Sequence, residues 1–243
     1  MKGAVFAILI CVGCLSAGAQ SSKLVDFVSK IESRHYTNEL KLLRKTVKNS
    51  HKEFLKNYKA YSQVDDAYSS GNYDCLSGTL LLSSIFEQLG IKHKVYETNY
   101  HIFLIVQTLG REVIVETTDK NHGLITNPEE IEKRLKCYRD FGKGSAMYLS
   151  EYSIFNQVNR EQMEGLMLFN LSVSRYLEKD FFETVQFLEQ AKEVYNSPRI
   201  SPFSKIVMQQ LSVSDLDDSS KDSLMIRLNT LTDEKISVAS AVH

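Results

Sequence analysis

The run "HIFLIVQT" (101–108) constrains this chain more than any other stretch, because it is apolar at nearly every position after its first. Successive side chains of a strand point to opposite faces, so such a run is satisfied only where both faces of the sheet are covered. It is flanked by "KHKVYET" (92–98) and "EVIVETT" (112–118), also rich in branched and aromatic residues, with only "LGR" between the second and third runs. Three such runs joined by short turns predict a small antiparallel sheet. Upstream, "SSGNYD" is a turn-rich break in which Gly71 and Asn72 are the strongest signals. Asp74 then caps a helix over Cys75 to Gln88 that stops at Gly90. This helix covers one face of the middle run, and Cys75 lies in its first turn.

The rest of the chain reads as helix. From Ser22 to about Tyr68, Leu24, Val25, Val28 and Ile31, then Leu40, Leu43 and Val47, recur at helical spacing and predict two or three amphipathic helices. The basic run of Lys41, Arg44, Lys45 and Lys48 reads as a solvated face. "NPEEIEKRL" starts a helix near Pro128, "DFGKGSAMYLS" is a loop, and helices return after it. The tail beyond about Ser237 is expected to fray.

The 29 basic and 30 acidic side chains nearly cancel, so the basic footprint of a nucleic-acid binder is absent. Lys2, the apolar "AVFAILICVGCL" and Ala17-Gly18-Ala19 have the order of a secretory signal cut before Gln20. The apolar run is shorter than the roughly 20 residues a spanning helix needs, so no integral membrane segment is expected after its removal. Export to the periplasm or the extracellular space follows. A lipoprotein modified at Cys14 is the weaker variant, since Cys11 stands where a leucine-like residue is preferred. The mature chain would keep two cysteines, Cys75 and Cys137, which are expected to be free although a bridge between them is open to an exported chain.

A thiolate attacks carbonyl carbon, and a helix N-terminus favours that anion through its unpaired amides and dipole. The chemistry also needs an imidazole to pair with the thiolate and a third polar group to orient the ring. His101 and Glu116 on neighbouring strands are the candidates. Taken singly, a helical cysteine is more often a small buried hydrophobe and a strand histidine more often simply satisfied. If Leu109 and Gly110 are the two tip residues of the turn, Thr108 pairs with Arg111 and His101 falls opposite Thr118. Glu116 is then a diagonal neighbour on the same face, while Asp119 points away. The Cys75 amide is the natural first oxyanion donor, and Asn72 or Tyr73 are candidates for the second. His93, His101 and His122 lack metal-ligand spacing, no phosphate-binding glycine loop is present, and "SVSDLDDSSKD" reads as a surface turn. No cofactor or metal is expected.

The order cysteine helix, "LGI" turn, strand, histidine, then a strand ending in an acidic residue and threonine resembles the transglutaminase-like core of the papain-like cysteine enzymes. The resemblance covers about Gly71 to Asp119, and rests on "CLSGTLLLSSIFEQLGI", "YHIFLIV" and "VIVETT". It implies an α+β fold with N-terminal helices, a central cysteine helix on a small antiparallel sheet and C-terminal helices. It also implies a Cys75, His101 and Glu116 site acting on amides of a peptide or protein, by hydrolysis or by acyl transfer. Glutamate stands where the family has aspartate, threonine where it has proline, and Phe103 where an aromatic adjacent to the histidine is common. "LMLFNLSVSRYLEKDFFETVQFLEQAKEVYNSP" is similar to one tetratricopeptide repeat at about 165–198, with Asn170 and Leu171 in its first helix and Leu188 and Ala191 in its second. A single repeat cannot bury its face alone, so it is expected to pack on the domain and to offer a surface for a protein partner. The expected organisation is a signal over 1–19, a core with N-terminal helices over 20–150 and a helical region over 151–243. Two functions remain open: a cysteine enzyme, or an inactive relative serving as a peptide-binding module.

Overall fold

The computed structural model describes residues 13–108, 110–140 and 154–232. The start of the expected signal, nearly all of the loop expected at 140–150 and the expected fraying tail lie outside those residues. The chain is α+β. In order it forms α1 (Gly13–Glu32), α2 (Glu39–Glu53), β1 (Asn57–Tyr58), α3 (Val64–Ser69), β2 (Asn72–Tyr73), α4 (Cys75–Gln88), β3 (His93–Thr98), β4 (Ile102–Thr108) and β5 (Arg111–Val115). β6 (Leu124–Ile125), α5 (Pro128–Asp140), β7 (Phe155–Val158), α6 (Arg160–Leu177), α7 (Phe181–Val194), α8 (Ile200–Ser212) and α9 (Asp218–Thr232) follow. Among the described residues, no helix is long and apolar enough to cross a membrane.

The helix α4 is fixed at both ends by its sequence. The Asp74 side chain accepts from the Ser77 amide at 2.7 Å, and the Ser77 hydroxyl accepts from the Asp74 amide at 2.9 Å. Such a reciprocal cap contributes about 1 kcal/mol. At the far end Gly90 adopts φ +66°, and the Ile91 amide turns back to the Phe86 carbonyl at 2.8 Å. Between these ends the helix is apolar nearly all round because it is the centre of the domain: Leu81, Leu82, Ile85 and Phe86 are fully buried.

The sheet has the order β6-β5-β4-β3-β7 with every neighbour antiparallel. The central β4 is covered on both faces, which explains its unbroken apolarity. Ile102, Leu104 and Val106 join the core built on α4, while Phe103 and Ile105 pack with Ile131, Leu135 and Tyr138 of α5. The short edge strands β6 and β7 were not legible as strands, since two and four residues carry no period.

The helical hairpin of α6 and α7 docks on this core. Met163, Leu166 and Met167 enter the α4 cluster, and the Asn170 amide group donates to the Asp74 carboxylate at 3.3 Å. On β3 the buried Glu97 accepts from the Tyr195 hydroxyl, with Arg199 Nε at 3.6 Å, and Arg199 also donates to the Thr98 carbonyl. A second cluster joins α7, α8 and α9. The stretch read as a surface turn is a helix start in part. Asp217 accepts from the Ser220 amide at 3.0 Å and caps α9, so the acidic residues serve the helix dipole.

Candidate active site

Cys75 is the first residue of α4 and is half-buried. The Asp74 carboxyl is taken up by the amides of Leu76 and Ser77, and burial pushes it above its ordinary value against those bonds. The Cys75 amide finds no acceptor among the described residues and is left as the free donor of the first turn. Its carbonyl accepts from the Thr117 hydroxyl at 3.3 Å, which ties the segment after β5 to the helix. That approach is close because position 78 is glycine. A Cβ there would meet Tyr73 at 3.0 Å and Thr117 at 3.2 Å.

His101 sits in the turn just before β4 rather than inside the strand. Its carbonyl accepts from the Thr98 amide at 2.8 Å, and its amide donates to the Thr98 hydroxyl at 3.1 Å. Thr98 is in turn held by Arg199, and the Asn99 side chain accepts from the Ile154 amide at 2.7 Å. The backbone that carries the imidazole is therefore pinned from the α8 side and from the residues before β7.

Nε2 of His101 lies 2.5 Å from Oε2 of Glu116, whose side chain is only 3% exposed while the imidazole is 25% exposed. Cys75 is near enough to act on the ring, and with Nε2 engaged by Glu116 the nitrogen left for it is Nδ1. Burial lowers the affinity of the ring for its proton, but Cys75 and Glu116 outweigh it and push the pKa up to about 10. The ring thus lies between the Cys75 side chain and a buried carboxylate, and both favour its protonated form.

The other oxygen of Glu116 accepts from the Tyr138 hydroxyl on α5. Burial, then the Glu116 charge, raises the phenol above its ordinary value, so it stays a donor. One turn earlier, Arg134 hydrogen-bonds to Glu130 at 3.0 Å. Tyr138 had no signal in the sequence: its bond crosses 22 positions to an element whose packing no local pattern gives.

The hairpin register matches the expected one, with Thr108 opposite Arg111 and Leu104 opposite Val115, although Leu109 itself lies outside the described residues. Asp119 does turn away. Its carboxylate accepts from the amides of Asn121 at 3.2 Å and His122 at 2.8 Å. Asn72 and Tyr73 form β2, parallel to β1. The Asn72 amide donates to the Ser70 hydroxyl at 3.3 Å, and the Tyr73 ring is buried against α4. The Asn72 side chain is half-exposed.

Cys75 and Cys137 are both free, the second exposed on α5. Among the described residues no three His, Cys, Asp or Glu side chains gather as metal ligands. Compared with protein-family models, curated proteins and solved structures, the chain gives no significant match.

Proposed function

We propose that this protein is an exported cysteine enzyme with a papain-like, transglutaminase-like core, acting on amide bonds through a thioester. The observation that carries the reading is the line Cys75, His101, Glu116, in which a half-exposed thiol at a helix N-terminus meets an imidazole fixed on its far side by a buried carboxylate. The Cys75 sulfur attacks the carbonyl carbon, the C–N bond breaks, and the imidazolium gives its proton to the departing amine. Water or an amine then attacks the thioester, loses its proton to His101 and restores the thiolate. The Cys75 amide faces the developing oxyanion as the first-turn donor.

A second reading, a catalytically silent binding module, draws support from the same site: the amide of Asn72, a candidate for the second oxyanion donor, is spent on the Ser70 hydroxyl. Iodoacetamide separates the two. An enzyme site alkylates at Cys75 below neutral pH, well ahead of the exposed Cys137, with the two sites distinguished by peptide mapping. Equal rates at the two thiols would leave only the binding reading. Export is tested by the mass of the mature N-terminus, expected near Gln20.

A further inference from the structure

A cleft of about 800 Å³ is walled by α2, the loop over 119–127 and α5; Cys75, His101 and Glu116 do not line it, but its walls connect to them. Both walls begin at the site. Thr117, bonded to Cys75, is three residues before Lys120, and Tyr138, bonded to Glu116, is one turn after Arg134. On the α2 side, His51 touches the Tyr73 ring, which packs on the first turn of α4.

The charges that line the cleft are mostly basic. Arg44 and Lys48, one turn apart on α2, face it together with Lys120 and Arg134. Its two carboxylates are already engaged, Glu130 by Arg134 at 3.0 Å and Asp119 by the loop amides. Arg44, Lys48 and Lys120 have no carboxylate partner among the described residues. The basic run is exposed, as expected, and Arg44 and Lys48 of it form one side of the cleft.

His51 also lines the cleft. His51 is 2% exposed, and its Nδ1 lies 3.4 Å from the Leu55 carbonyl, which gives that nitrogen the proton. Burial holds its pKa below the ordinary value, so the ring is neutral. Nε2 is itself buried and has no hydrogen-bond partner. A group that suits the cleft brings carboxylates to Arg44, Lys48 and Lys120, and an acidic peptide segment does so.

We propose that this cleft binds an Asp/Glu-rich peptide segment flanking the scissile amide, so that the substrates or acyl acceptors of the site are acidic proteins. This rests on the enzyme reading only for the word substrate, since the binding itself needs no chemistry. Full-length Cys75→Ala protein is titrated by fluorescence anisotropy with a fluorescein-labelled Glu/Asp peptide and with its Gln/Asn counterpart. The acidic peptide should bind at least about tenfold tighter, and raised salt should erase the difference. Lys48→Glu with Lys120→Glu should weaken it by about tenfold or more, and the milder Lys48→Gln with Lys120→Gln gives the same ranking should charge reversal impair folding. Equal binding of the two peptides, indifference to both double variants, or tighter binding of a single-stranded DNA oligonucleotide would overturn the proposal. Selective alkylation of Cys75 without peptide preference removes the cleft assignment alone. Peptide preference with an unreactive Cys75 removes the enzyme reading alone.

Discussion

Glu116 holds His101 with one oxygen, at 2.5 Å from Nε2, and takes the Tyr138 hydroxyl with the other. Both oxygens are therefore committed, and the carboxylate, only 3% exposed, cannot turn without breaking a bond. Glu116→Gln keeps the shape but places an amide where an acceptor is needed, and it removes the charge facing the imidazolium. The rate of Cys75 alkylation below neutral pH should fall on the order of a hundredfold. Asp119→Asn should leave it within about twofold, because that carboxylate only caps its own loop. Equal losses in both variants would sink the assignment of the third residue.

Tyr138→Phe removes one hydroxyl and keeps the ring packed on Phe103, whose centroid is 4.7 Å away. Glu116 then loses its second donor and gains freedom to rotate. Alkylation of Cys75 should slow by about tenfold, the scale of an outer hydrogen bond that orients an inner ligand. The readout is the pH profile as well as the rate. Loss of packing alone would leave the profile in place, whereas a loosened Glu116 shifts its alkaline limb downward, because His101 is held less firmly in its charged form.

The alternation and turn chemistry around 92–118 gave the sheet, its register and the diagonal approach of Glu116 to His101, since a two-residue tip leaves only one parity. Gly90 and Asp74 likewise announced the ends of α4. What stayed hidden depends on tertiary placement. Tyr138, Arg134 and Arg199 reach the site from helices whose own periodicity says only which face is apolar. The basic residues of α2 are exposed, as their sequence shows, but a sequence shows which face they share, not which loop stands opposite.

The pKa of His101 is raised from 6.5 to about 10 in the fold, burial acting against it and Cys75 with Glu116 acting for it. Folding therefore takes up a proton between those two values. The stability it contributes is complete below about pH 6.5 and is lost as pH rises through about 10. The Tm of the full chain should drop by on the order of 5 °C over that interval, more than the drop in His101→Gln. Parallel curves for the two proteins would show that the imidazole is not charged in the fold.

Gly123 decides whether the loop that carries Glu116 can close. Its carbonyl accepts from the Glu116 amide at 2.7 Å and its amide donates to the Asp119 carbonyl at 2.8 Å. A Cβ at this position would lie 2.2 Å from the Glu116 carbonyl oxygen and 2.3 Å from that of Asp119, distances that backbone atoms cannot relieve by rotating a side chain. Gly123→Ala must therefore spread the loop, at a cost of about 1–3 kcal/mol. Gly110→Ala is the matched control. It sits at the hairpin tip with φ +72° and open space around it, so its cost is conformational only, about 1–2 kcal/mol. The two variants should melt at similar temperatures and differ in Cys75. Gly123→Ala moves the backbone of Glu116 and should slow alkylation by about tenfold or more, whereas Gly110→Ala should leave it unchanged. Equal reactivity in the two would mean that the position of Glu116 does not govern the thiol.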